Sequence, residues 1–153
     1  MRRSSGRRAK RKRGSCMTSY MVDSSVILEK IVRTSPLKAR VERPFDEAKE
    51  GRVLLLVPLP TLSEVLYAAS RIYSLAGVER PNEEAYTLVE WVKSRCRLVT
   101  PSKSAALRAG EFKKLLELAL VDCYVIAVAE EVGGRALFLK REMLGKEKLL
   151  QQL

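Results

Sequence analysis

One carboxylate, Asp122, stands in the most apolar stretch of the chain, Ala119 to Gly133. Leu118, Leu120, Val121, Val125 and Ile126 surround it on nearly every face that a helix there would present. An ionised aspartate in that company loses its hydration, and it stays charged only if a cation or hydrogen-bond donors meet it. The chain has no histidine and no CxxC pair, so a soft-metal site is disfavoured and a hard cation held by oxygen ligands is the natural counter-charge. Two further acids stand where they can join it. Asp23 ends the short stretch Ser19 to Val22, and Glu64 follows the apolar run Val53 to Pro60.

Carboxylates drawn into one crevice repel: two unit charges ~4 Å apart cost about 1 kcal/mol in water and about 4 kcal/mol at an effective dielectric of 20. Such a cluster is tolerated when cations occupy it. Mg²⁺ or Mn²⁺ fits, because these ions take one or two carboxylates and keep waters that a phosphate substrate can replace. One or two such ions would activate water and steady the attacking and leaving oxygens of an in-line phosphodiester displacement. Without histidine, no imidazole base is available for that step.

Two of these acids also have a plain structural reading. Asp23 or Ser24 would serve as a helix N-cap. Thr61 to Glu64 matches a capping box, in which the glutamate reaches back to the cap's amide.

The elements that must position the acids follow from periodicity. Ser19 to Val22 reads as a strand, and SSVILEKIVR after Asp23 as a helix. LKARVERPFDEAKEG reads as an irregular helix closed by Gly51, with Pro44 breaking it or lying near a first turn. VLLLV has the continuous apolar character of a parallel strand covered on both faces. PTLSEVLYAASRIYSLAG predicts a helix, and Asn82 to Cys96 another with Asn82 as cap and Trp91 on its apolar face. RLVTPS is a third strand, SAALRAGEFKKLLELA and ALVDCYVIAVAEEVGG are helices, ALFLK is a fourth strand and REMLGKEKLLQQL a terminal helix. The patch at Lys113 and Lys114 reads as a solvated face. Strands joined by helical connections predict the α/β class, a parallel sheet of about four strands covered on both faces. Asp23 and Glu64 then fall beyond the C-terminal ends of the first two strands, where open sheets of this class place ligands.

At 153 residues, with 46% apolar residues, the chain is long enough for one domain with an ordinary core. Its net charge of +11 is uneven, because residues 1–20 hold eight lysines and arginines and no acid, leaving +3 on the remainder. Residues 1–18 are expected to be a disordered basic extension, and residues 19–153 the folded domain. The extension reads either as a nucleic-acid-binding arm that releases counterions or as translated upstream sequence, since Met17 and Met21 stand just ahead of the first structured residues. Cys16, Cys96 and Cys123 show no disulfide spacing, which suits a reducing cytoplasm. No apolar run approaches the ~18 residues of a membrane span, and no secretory signal is visible.

MVDSSV with Asp23, LSEVLYA with Glu64 and LALVDCYVIAVAEEVGG with Asp122, in that order, resemble the PIN-domain family, in particular the small archaeal and bacterial members that include the VapC-type toxins. The resemblance runs over roughly Tyr20 to Glu142. It implies a three-layer α/β/α fold and a Mg²⁺- or Mn²⁺-dependent endoribonuclease. Asp23, Glu64 and Asp122 would hold the metal and act in catalysis. It further implies RNA as substrate, a small antitoxin as partner and a homodimer. Where the family commonly has Thr-x-Asp after the last strand, this chain reads FLKREM. Glu142 is therefore expected as the fourth catalytic carboxylate on a longer arm, the alternative being a favourable acid in a helix's first turn, and Lys140 and Ser24 are expected as substrate contacts. Two other readings stand against the nuclease. A non-catalytic RNA-binding protein on the same scaffold would account for the altered fourth motif. A phospho-acceptor receiver domain would need an acidic pair at the first strand, where Asp23 is instead followed by two serines.

Overall fold

Two runs with apolar residues on both sides build the centre of the sheet, because strands covered on both faces cannot alternate apolar with polar residues. They are β1 (Thr18–Val22) and β2 (Val53–Pro58). The computed structural model describes residues 17–139; the basic extension, Lys140, Glu142 and the expected terminal helix lie outside the described residues. After β1 come α1 (Ser24–Glu29) and α2 (Lys38–Lys49), and after β2 come α3 (Leu59–Leu75) and α4 (Pro81–Arg95). Then follow β3 (Arg97–Val99), α5 (Lys103–Leu115), α6 (Leu120–Val132) and β4 (Arg135–Leu137). All pairings are parallel, in the order β3-β2-β1-β4.

The period-two alternation of the strands divides the core into two layers. Val22, Leu55 and Val57 pack with Ile27, Phe45, Val65, Ala69 and Val92 from α1 to α4. Met21 and Leu56 face the other way, onto Ala105, Val125, Val128 and Ala129 of α5 and α6. This is the expected three-layer α/β/α arrangement. It fixes β1 as an interior strand, with Asp23 midway along the C-terminal edge of the sheet. α6 ends on Gly133, whose φ of 70° is left-handed and which only glycine adopts without strain.

Four local expectations change. Pro44 neither breaks α2 nor lies in its first turn; the helix runs through it from Lys38 to Lys49. A proline inside a helix costs ~3 kcal/mol or more. Val41 and Phe45, both buried beside it, contribute about 1.5–3 kcal/mol each, enough to offset that cost. α3 begins at Leu59 with Pro58 as its cap residue, so Thr61 is inside the helix and no capping box forms with Glu64. α4 starts at Pro81 behind Arg80, which removes Asn82 from the cap position, because proline suits a first helical residue whose N–H has no partner anyway. α1 is shorter than its periodicity suggests and ends at Glu29, after which the chain turns.

Candidate metal centre

Asp23 directly follows β1 and caps α1. Its Oδ2 accepts hydrogen bonds from the Ser25 amide at 3.0 Å and the Ser25 hydroxyl at 2.6 Å. Its own amide donates to the Leu137 carbonyl at 3.0 Å, which ties the end of β1 to β4. The capping role therefore holds and occupies one edge of the carboxylate. Glu64 lies in the second turn of α3, half-buried. Asp122 lies in the first turn of α6. Asp23 and Asp122 are 0% and 1% exposed.

The three side chains meet: each offers a carboxylate oxygen, and these atoms all lie within 4.8 Å of one another. Glu64 is thus gathered into the cluster and does not fold back to cap its own helix. Each acid stands near a helix N-terminus, where the partial positive charge of the free amides offsets some of the repulsion. That offset is typically 0.3–1 kcal/mol per acid, against about 4 kcal/mol for a charge pair ~4 Å apart at a dielectric of 20. The helix ends therefore do not balance the cluster. Glu64 Oε2 is buried and, among the described residues, has no hydrogen-bond partner. An oxygen-only donor set with an unsatisfied buried oxygen fits a hard divalent cation.

The surroundings hold the acids in place. Lys113 donates from Nζ to the Leu118 carbonyl at 2.5 Å, pinning the turn that leads into α6. Cys123, next to Asp122, is fully buried; burial pushes its thiol pKa up, and the Asp122 charge pushes it further. Ser24 is buried as the first residue of α1.

Sequence reasoning passed over Ser25 and read Thr61 only as a helix cap. Ser25 Oγ bonds Asp23 and also accepts from the Leu139 amide at 3.1 Å. The Asp-Ser-Ser run could have signalled the local turn, but nothing in the sequence signals a partner 114 positions away. Thr61 is 0% exposed, and its hydroxyl has no hydrogen-bond partner among the described residues.

A model of the family described as PIN domain matches residues 20–140. No curated protein matches the chain in sequence. Among solved structures, VapBC2 from Rickettsia felis, bound to a DNA fragment from its promoter, is similar with a TM-score of 0.62 at 14% identity, over 84% of this chain and 92% of that one. VapC20 from Mycobacterium tuberculosis, a toxin that cleaves the sarcin-ricin loop, gives 0.61 at 14% identity, over 84% and 95%. A toxin–antitoxin complex from Klebsiella pneumoniae gives 0.53 at 16% identity, over 84% and 92%. At these identities the likeness is one of fold.

Proposed function

The chain belongs to the PIN domain family, and from that membership we propose that it is a metal-dependent endoribonuclease that hydrolyses RNA phosphodiester bonds. Asp23, Glu64 and Asp122 are its ligands for Mg²⁺ or Mn²⁺. The observation that carries this reading is the convergence of three carboxylate oxygens within 4.8 Å from three separate elements. A divalent counter-ion would offset the repulsion among them. When bound, such an ion supplies an activated water and charge stabilisation at phosphorus.

The residues of the chain do the remainder. The Asp23 carboxylate is held by Ser25 on one edge and presents the other to the cluster. Asp122 brings its charge from the α6 side of the crevice, and Glu64 closes it from α3. Lys140 contacts phosphate, and Glu142 supplies a fourth acid.

The similar VapBC2 and toxin–antitoxin structures support a small antitoxin as partner, and the similar sarcin-ricin loop cleaving toxin supports a structured RNA as substrate. A homodimer and a cytoplasmic location belong to the same proposal. Among the described residues no helix is long and apolar enough to cross a membrane.

The test is cleavage of a labelled RNA with added Mg²⁺ or Mn²⁺. Asp23→Asn and Asp122→Asn should each lower the rate by more than about 100-fold, because even residues that only support a metal ligand cost 10–100-fold when changed. Glu142→Gln should cost less. Undiminished cleavage by either aspartate variant would remove the nuclease reading and leave a non-catalytic RNA-binding protein on this scaffold.

A further inference from the structure

Thr61 is fully buried, and its Oγ1 meets no hydrogen-bond partner among the described residues. A threonine inside a helix ordinarily returns its hydroxyl to the carbonyl three or four residues back. That carbonyl would belong to Pro58 or Val57, and neither bond is made here. A buried hydroxyl without a partner is costly, and valine would fill the same shape without that cost.

Its position in α3 places it near the acids. The β1–β2 register pairs Met21 with Leu56, and continuing it brings Asp23 level with Pro58, the cap residue of α3. Thr61 and Glu64 are three residues apart, so they share one face of α3. Helical side chains lean toward the N-terminus, so Glu64 reaches over the turn that carries Thr61. Two buried oxygens on this one stretch of α3, Thr61 Oγ1 and Glu64 Oε2, thus lack partners together. Glu64 is drawn to the carboxylate cluster, and Thr61 stands beside its path.

We propose that Thr61 is a positioning residue of the cation site, whose hydroxyl accepts a hydrogen bond from a water in the shell of the ion that Glu64 helps to hold. The inference rests on the metal reading above. A divalent ion of this class keeps several waters, and a coordinated water is a strong donor that matches an unsatisfied hydroxyl oxygen. Thr61 makes no contact with the scissile group; it orients the shell and keeps Glu64 in register.

The full chain, its Thr61→Val and Thr61→Ser variants are melted in EDTA and titrated with Mn²⁺ by calorimetry. Thr61→Val is expected to melt no lower than the parent in EDTA and to bind Mn²⁺ about tenfold more weakly, the scale of a lost supporting contact. Thr61→Ser, which keeps the hydroxyl, should retain the parent's Mn²⁺ affinity even if loss of its methyl lowers the melting point. Parental Mn²⁺ affinity in Thr61→Val overturns the inference. So does an early melt of Thr61→Val in EDTA without a change in affinity, which would make the hydroxyl a purely structural group. If the parent itself gains no stability from Mn²⁺ or Mg²⁺, the metal reading fails and this inference fails with it.

Discussion

Two buried regions of the molecule fill their space with opposite chemistry. Around Trp91, the Phe45 ring packs with centroids 4.8 Å apart, and the Lys30 ammonium lies 4.3 Å from the Trp91 ring centroid. Carbon is buried there, and the Lys30 ammonium itself lies over the ring. At the C-terminal edge of the sheet the protein instead buries oxygen: Asp23 and Asp122 almost completely, with Glu64 beside them. The first region has every reason to be stable by itself. The second gathers like charges, and in the proposed metal site a divalent cation would offset their repulsion.

The contrast breaks most sharply through stability without metal. Phe45→Ala should cost about 3–5 kcal/mol, read from urea unfolding, because a large ring leaves a cavity. Asp122→Asn, although equally buried, should cost nothing measurable in EDTA, since one negative charge leaves a repelling group. A large loss in both variants would show that the acids are ordinary core groups.

A smaller effect is expected from Ser25→Ala. It removes a bond to a charged carboxylate and the acceptor for the Leu139 amide, and should lower stability by about 1.5–3 kcal/mol. The loss should appear in urea unfolding with and without metal. An unchanged midpoint would mean that Asp23 is held in place without Ser25.

A pH-dependent effect concerns the thiols. Burial pushes Cys96 up to about 12 from an ordinary value of 9.0. The folded form therefore favours the neutral thiol. Its contribution to stability is full below pH ~9 and is lost as the pH rises from there toward 12. Urea midpoints measured between pH 8 and pH 11 should fall accordingly, and a flat profile would contradict the burial. Cys123 sharpens the comparison, because its thiol is raised first by burial and then by the charge of Asp122. Asp122→Asn should lower it and speed its slow labelling slightly, whereas Cys96 should not respond.

The parallel sheet and the three acids were legible because both depend on coarse patterns. An apolar run reads as a covered strand at any register, and an aspartate among leucines signals a conflict that no packing detail removes. Details that turn on competition between neighbours were not legible. Pro44 was read by its local cost, which the burial of Val41 and Phe45 on either side overrides. The capping box rests on four letters, yet α3 starts three residues earlier than that motif requires. Ser25 escaped notice, and Thr61 read only as a cap, because a serine or threonine near a helix start is unremarkable until its partner, or the lack of one, is visible. Ser24, Lys140 and Glu142 were chosen by their nearness to the motifs; the first is buried, and the other two lie outside the described residues.

The bond from Leu139 to Ser25 also bears on when the crevice can assemble. Asp23 lies near the beginning of the folded region, yet two groups that tether it, the Leu137 carbonyl at the end of β4 and the Leu139 amide bonded to Ser25 Oγ, arrive only with the last described residues. Contacts so distant along the chain close slowly, since a long loop must be ordered before they form. During synthesis, β1 and β2 can pair while α6 is still unmade, leaving Asp23 and Glu64 without Asp122 and without the β4 clasp. The nascent chain would therefore carry Asp23 and Glu64 long before residues 137–139 could tether the first of them.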